Sequence, residues 1–207
     1  MKRFTFSIDK YQAQWALSPI RAKRDVIGLL MRSIKMMSIG INEPTDTAAA
    51  TVVLIVSKMS RLFFISPKRI FSINFPFFVM EESGGLRFRS HAHKNIDSKA
   101  TSDILALLEN EELLNSFEIL RFAEPILDAC AADEHIWSLF RELLLVEDGY
   151  IRYDHDEERA DGHRHPLHHL DVFYSNGSTF KLGLPSAIGS RDLEDLLDLG
   201  TDCHFIR

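Results

Sequence analysis

Two stretches of alternating hydrophobicity, residues 51–91 and 149–184, flank a stretch of helical periodicity over 98–147, and this order leaves few architectures open. Side chains change face at every step of a strand but return to one helix face only every 3–4 residues, so the two patterns are distinct. Strands in two blocks with helices between them predict an α+β fold, not alternating β-α-β units. The first block is expected to hold strands over 51–57, 61–66, 69–75 and 86–91, an antiparallel N-terminal meander rich in Val, Ile and Phe. Phe71-Ser-Ile-Asn-Phe75 alternates strictly, and Glu81-Glu-Ser-Gly-Gly85 supplies the last hairpin turn.

A short strand over 5–8 comes first. Pro19 then suits the first turn of a helix over 20–38, whose Arg21, Lys23, Arg24, Arg32 and Lys35 form a solvated basic face. Asn42, Pro44, Thr45 and Asp46 mark a loop. The central helices begin at Ser98 or Ser102 as caps, continue over 117–132, where Pro125 should kink or divide the helix, and end with 134–146. Gly149 opens the second β block: strands over 149–155, 168–174 and 179–184, the last two joined by Ser175-Asn-Gly-Ser178 as a C-terminal hairpin. A short acidic amphipathic helix over 190–199 follows. With 207 residues, one domain spanning 1–207 is expected.

The formal net charge of −6 argues against bulk electrostatic binding of nucleic acid, although a local basic groove stays open. Cys130 and Cys203 have no CxxC spacing, so neither a disulfide framework nor a thiolate zinc site is indicated. Residues 1–9 alternate and form no secretory core. The apolar region 48–78 is broken by Lys58, Arg61, Lys68 and Arg69, which fits buried strands and not a membrane span. A reduced, cytoplasmic protein is the expectation. No Rossmann or phosphate-loop motif is present, and Gly183-Leu-Pro-Ser186 is no nucleophile elbow, so no nucleotide cofactor is expected.

The chemistry-bearing signal is histidine. Five of nine histidines, His155, His163, His165, His168 and His169, fall within residues 155–169. Histidine transfers protons near neutral pH and binds borderline metals. Leu170, Val172, Phe180, Leu182 and Leu184 define the core face of the hairpin, so His169, Asp171, Thr179 and Lys181 should share the outer face. If Ile151 and Tyr153 also point inward, Arg152 and Asp154 join them, with residues 156–166 a flap that brings His163 and His165.

Two chemistries fit. In one, His169 and His165 act as general base and acid while Arg152 and Lys181 stabilise charge on a phosphoryl group, with Asp171 alongside. In the other, His163, His165, His169 and Asp171 hold a divalent metal that activates water. A third reading has the histidines beside Pro166 ordering a loop, with His168 buried and hydrogen-bonded. His91 and His93 form a second pair at a strand end.

The pattern Tyr153-Asp154, a polar loop, then His165-Pro166-Leu167-His168-His169 resembles the signature of TumE-like toxins of bacterial toxin–antitoxin pairs. It is also similar to an uncharacterised prokaryotic family with a Tyr-Asp-x-Asp…His-Pro-x-x-His-Leu signature before a terminal hairpin. The resemblance spans residues 149–184. It implies a toxin or phage-defence effector cleaving RNA, with a cognate antitoxin as partner. The rival expectation is a non-enzymatic accessory subunit that docks on a larger protein.

Overall fold

The computed structural model describes residues 1–40, 48–83, 85–110, 113–114, 118–175 and 178–202. The loop residues Asn42, Pro44, Thr45 and Asp46, the turn residues Gly84, Asn176 and Gly177, the helix start at Phe117, and Cys203 lie outside them. The fold is α+β, and its strands pair antiparallel throughout. Among the described residues no helix is long and apolar enough to cross a membrane.

The chain forms two compact units, one of Met1–Ser18, Asn42–Phe75 and Asp148–Arg207, the other of Pro19–Ile41 and Pro76–Glu147. The first unit contains β1 (Lys2–Ile8), α1 (Lys10–Ala16), β2 (Ala50–Val56), β3 (Arg61–Ile65) and β4 (Arg69–Asn74). After the second unit's segment come β7 (Ile151–His155), β8 (His168–Ser175), β9 (Ser178–Gly183) and α6 (Ser190–Leu196). These strands make one seven-stranded sheet in the order β1-β2-β3-β4-β7-β8-β9. The two β blocks are thus one sheet, joined where β4 pairs with β7 across the intervening helices.

The intervening segments make the second unit: α2 (Lys23–Met37), a hairpin of β5 (Phe78–Glu82) and β6 (Gly85–Arg89), then α3 (Ser98–Glu109), α4 (Ile119–Ala132) and α5 (Ile136–Leu145). The strand expected over 86–91 therefore leaves the meander and forms a separate two-stranded sheet with β5. Asp97, not Ser98 or Ser102, caps α3 through the backbone N–H groups of Lys99 and Ala100. α4 runs through Pro125 undivided, forgoing one backbone hydrogen bond. α1 was not anticipated; Asp9 and Gln12 form a capping box that starts it.

On one sheet face of the first unit Val53, Phe63, Ile70, Tyr153 and Leu170 form a buried cluster with Leu193 of α6. Leu196 and Leu197 pack against it as well, so the apolar stripe of this acidic helix is used internally. Phe180 (49% exposed) and Leu182 (36%), expected in the core, lie on this face but in β9, the edge strand of the sheet among the described residues.

Candidate functional site

On the other sheet face a row of residues runs through the register. Phe6, Val52, Phe64 and Phe71 lie side by side, all nearly inaccessible, and the same row continues as Arg152, Asp171 and Lys181. One pleat further along, Arg69, Asp154 and His169 are neighbours. A hydrophobic row that turns into a charged one with Asp171 buried in its middle is costly unless that charge is paired.

The pairing is complete along a chain of alternating sign. Arg69 Nε donates to Asp154 Oδ1 at 3.1 Å. Arg152 Nε donates to Asp154 Oδ2 at 2.7 Å, and its Nη2 to Asp171 Oδ2. Lys181 Nζ donates to Asp171 Oδ1 at 2.7 Å and meets His169 Nε2 at 2.9 Å. His169 Nδ1 lies 2.8 Å from the Pro166 carbonyl. A carbonyl can only accept, so Nδ1 carries the proton and Nε2 accepts from the lysine ammonium. Three cations thus serve two carboxylates, and the imidazole takes the remaining ammonium bond.

Arg152 is the centre of this chain. Burial alone would lower its pKa, but Tyr150, Asp154 and Asp171 outweigh that and hold the guanidinium above its ordinary value. Tyr150 is itself pushed up by burial, with Arg152 working in the opposite direction. Its ring stacks on Phe173 at 4.0 Å and meets Phe71 edge-on at 5.7 Å, a rigid aromatic wall behind the guanidinium.

A cleft of ≈ 380 Å³ opens beside these groups, within the range of about 300–1,000 Å³ common for ligand sites. Lys68, Arg69, Arg152, Arg159 and Lys181 line it, together with His155 and His165. Asp154, Asp156, Glu157 and Glu158 also line it, the first three already beside cations or imidazoles. Arg159 donates its backbone N–H to Asp156 at 3.1 Å. Burial would raise the Asp156 carboxyl, but this bond and the charge of Arg159 hold it below its ordinary value.

The structure unites Arg152, Asp154, His169, Asp171 and Lys181 on one face, as the alternation predicts. It also corrects their setting. His169 is 1% exposed and Asp171 3%, so neither stands on an open outer surface. His169 is not in the cleft lining; it sits beneath Lys181. His165 does line the cleft, with its ring edge-on to His169 at 4.7 Å and Nε2 3.8 Å from Asp156. His168, expected in the core, is half-buried, bonded to the Tyr153 hydroxyl at 2.9 Å and stacked on His155 at 4.8 Å.

The segment expected as a flexible flap is a folded turn closed by a bridge between Asp161 and His165. His163 is exposed and is not among the converging ligands. Among the described residues of this unit, the side chains whose ligand atoms converge for a metal ion are instead Asp154, His169 and Asp171, all within 4.8 Å of one another. Lys181 already bonds two of these three residues, so an ion there has to displace its ammonium.

Lys68, Arg69, His155 and Arg159 were not singled out as site residues from sequence. Lys68 and Arg69 lie in the first β block, and only the β4–β7 pairing brings them to the cleft. No protein-family model, curated protein or solved structure matches the chain.

Proposed function

We propose that the chain cleaves RNA phosphodiesters at the cleft of its first unit, acting as a toxin or phage-defence effector inside a prokaryotic cell. The observation that carries this reading is the cleft lining: five cationic side chains and two imidazoles, with four carboxylates among them, around a space of ≈ 380 Å³. Cations bind the phosphate and imidazoles move protons.

In this mechanism the ribose 2′-oxygen attacks the adjacent phosphorus. One of His165 and His155 takes the 2′-hydroxyl proton, and the other supplies a proton to the departing 5′-oxygen. Lys181 and Arg152 stabilise the charge that builds on the phosphoryl oxygens. His169 and Asp171 position the Lys181 ammonium from below and do not touch substrate. Products are a cyclic phosphate and a free 5′-hydroxyl.

A second reading rests on the converging ligand atoms of Asp154, His169 and Asp171. These three side chains would hold a divalent ion in place of the Lys181 ammonium, and the ion would supply an activated water.

Incubating the full chain with labelled RNA and DNA, with and without chelator, separates these readings. Cleavage of RNA alone, ending in cyclic phosphate and insensitive to chelator, is the expected result. Chelator-sensitive cleavage moves the assignment to the metal reading. No cleavage of either polymer in any metal ion overturns the nuclease and leaves an accessory subunit that binds a protein partner.

A further inference from the structure

The second unit carries another cluster of ligating side chains, around the turn that follows β6. The His93 side chain is only 12% exposed, and neither Nδ1 nor Nε2 has a hydrogen-bond partner among the described residues. Buried imidazole nitrogens are ordinarily satisfied, so a ring with both unbonded calls for an occupant. Nε2 stands 3.6 Å from Asp133 Oδ2, beyond hydrogen-bond length. Glu142 shows the same signature: Oε1 accepts the Ala92 N–H at 3.2 Å, while Oε2 is buried and unpartnered. His135, at the start of α5, sets its ring 6.1 Å from that of His93, nearly perpendicular at 87°.

We propose that His93, Asp133 and His135 bind a divalent transition metal, zinc being the best chemical match, with Glu142 or water as the fourth ligand. Two ligands of a tetrahedral zinc, each about 2.0–2.2 Å from the ion, lie roughly 3.3–3.6 Å apart. The 3.6 Å between His93 and Asp133 fits one edge of that tetrahedron. His135 is 62% exposed at its side chain, so its ring turns onto a third vertex with little packing to lose.

A set of two imidazoles and a carboxylate suits zinc, whereas magnesium and calcium favour oxygen ligands alone. The Asp133 carboxylate is oriented by the His135 backbone N–H, which donates to its Oδ1 at 2.9 Å. Asp133 and His135 lie between α4 and α5, so the ion clips the His93 turn to that helix junction.

The test uses the full chain, stripped with chelator, dialysed and titrated calorimetrically with Zn²⁺. The expected result is one ion per chain, with Kd raised at least ~10-fold in His93→Ala and Asp133→Asn but unchanged in Asp171→Asn. Circular dichroism checks that each variant is folded. If His93→Ala fails that check, Co²⁺ replaces Zn²⁺ in the wild type and in His135→Ala, whose exposed ring is safe to remove. A visible tetrahedral Co²⁺ spectrum that disappears in His135→Ala supports the site. Absence of zinc binding, or binding lost only in Asp171→Asn, overturns it.

Discussion

At 1% exposure His169 has no surface left for a substrate, and both its ring nitrogens are committed, Nδ1 to Pro166 and Nε2 to Lys181. His165 lines the cleft, with Nε2 3.8 Å from Asp156 Oδ2. The two histidines should therefore fail differently. His169→Ala leaves a buried carbonyl and a lysine ammonium short of a partner, a loss of about 1–3 kcal/mol. It lowers cleavage only by letting Lys181 drift. His165→Ala should lower the cleavage rate by ~10²–10⁴-fold, as for a positioned proton-transfer group. Its stability should change by less than about 1 kcal/mol, since no strong bond goes with it. Single-turnover cleavage and thermal denaturation of both variants check the pair. Equal stability loss in the two, with equal activity, would remove His165 from the chemistry.

At the scale of elements, β8 and β9 hold the site by a close approach of backbone. Gly183 pairs with His169, and a Cβ there would come within 2.9 Å of the Pro166 ring. That proline carries the carbonyl that fixes the His169 tautomer. Gly183→Val should push the proline away, break this bond and cost about 1–3 kcal/mol, as overpacking does. Urea denaturation gives the cost, and the His169 Nδ1–H resonance reports the bond. A resonance unchanged in the variant would show that the turn holds His169 without Pro166. On the opposite face, Arg61 shows what the sheet tolerates with neutral partners alone. Its guanidinium donates to Ser72 Oγ at 2.8 Å, to Asn74 Oδ1 at 2.7 Å and to the Gly149 carbonyl, and burial lowers its pKa to about 10. Gly149 is held at φ 55°, with no room for a Cβ beside Asn74.

For the whole molecule two lowered carboxyls contribute to the acid dependence of stability. Asp156 and Asp133 both lie below the ordinary 3.8 in the folded protein. As pH falls, the unfolded chain takes up these protons first, so stability drops. Their contribution is complete above the ordinary carboxylate range and is lost as pH falls through the lowered folded values. Denaturation midpoints should therefore decline below about pH 4. The double variant Asp156→Asn, Asp133→Asn should flatten that decline without shifting the neutral plateau by a comparable amount. A decline of equal steepness in the double variant would place the acid limit on other carboxyls.

Alternation placed the strands other than β5, whose Glu81 and Glu82 read as a turn. It also sorted His169, Asp171 and Lys181 onto one face, with Arg152 and Asp154 joining if Ile151 and Tyr153 point inward, because a strand's side chains change sides at every residue and neighbours in a hairpin inherit the register. Helical spacing likewise marked α2, α3, α4 and α5. Burial was not legible. Whether a polar face meets water depends on what else shares its row, and the row of Phe6, Val52, Phe64 and Phe71 reaches Arg152 only through the β4–β7 pairing. That pairing joins residues with all of 76–147 between them, too far apart for any local pattern to register. The same long-range contact brought Lys68 and Arg69 to the histidines and took β6 out of the meander. Alternation in the sequence determined which side each side chain leaves its strand; only the assembled sheet decided which of those sides is buried and which cations meet at the cleft.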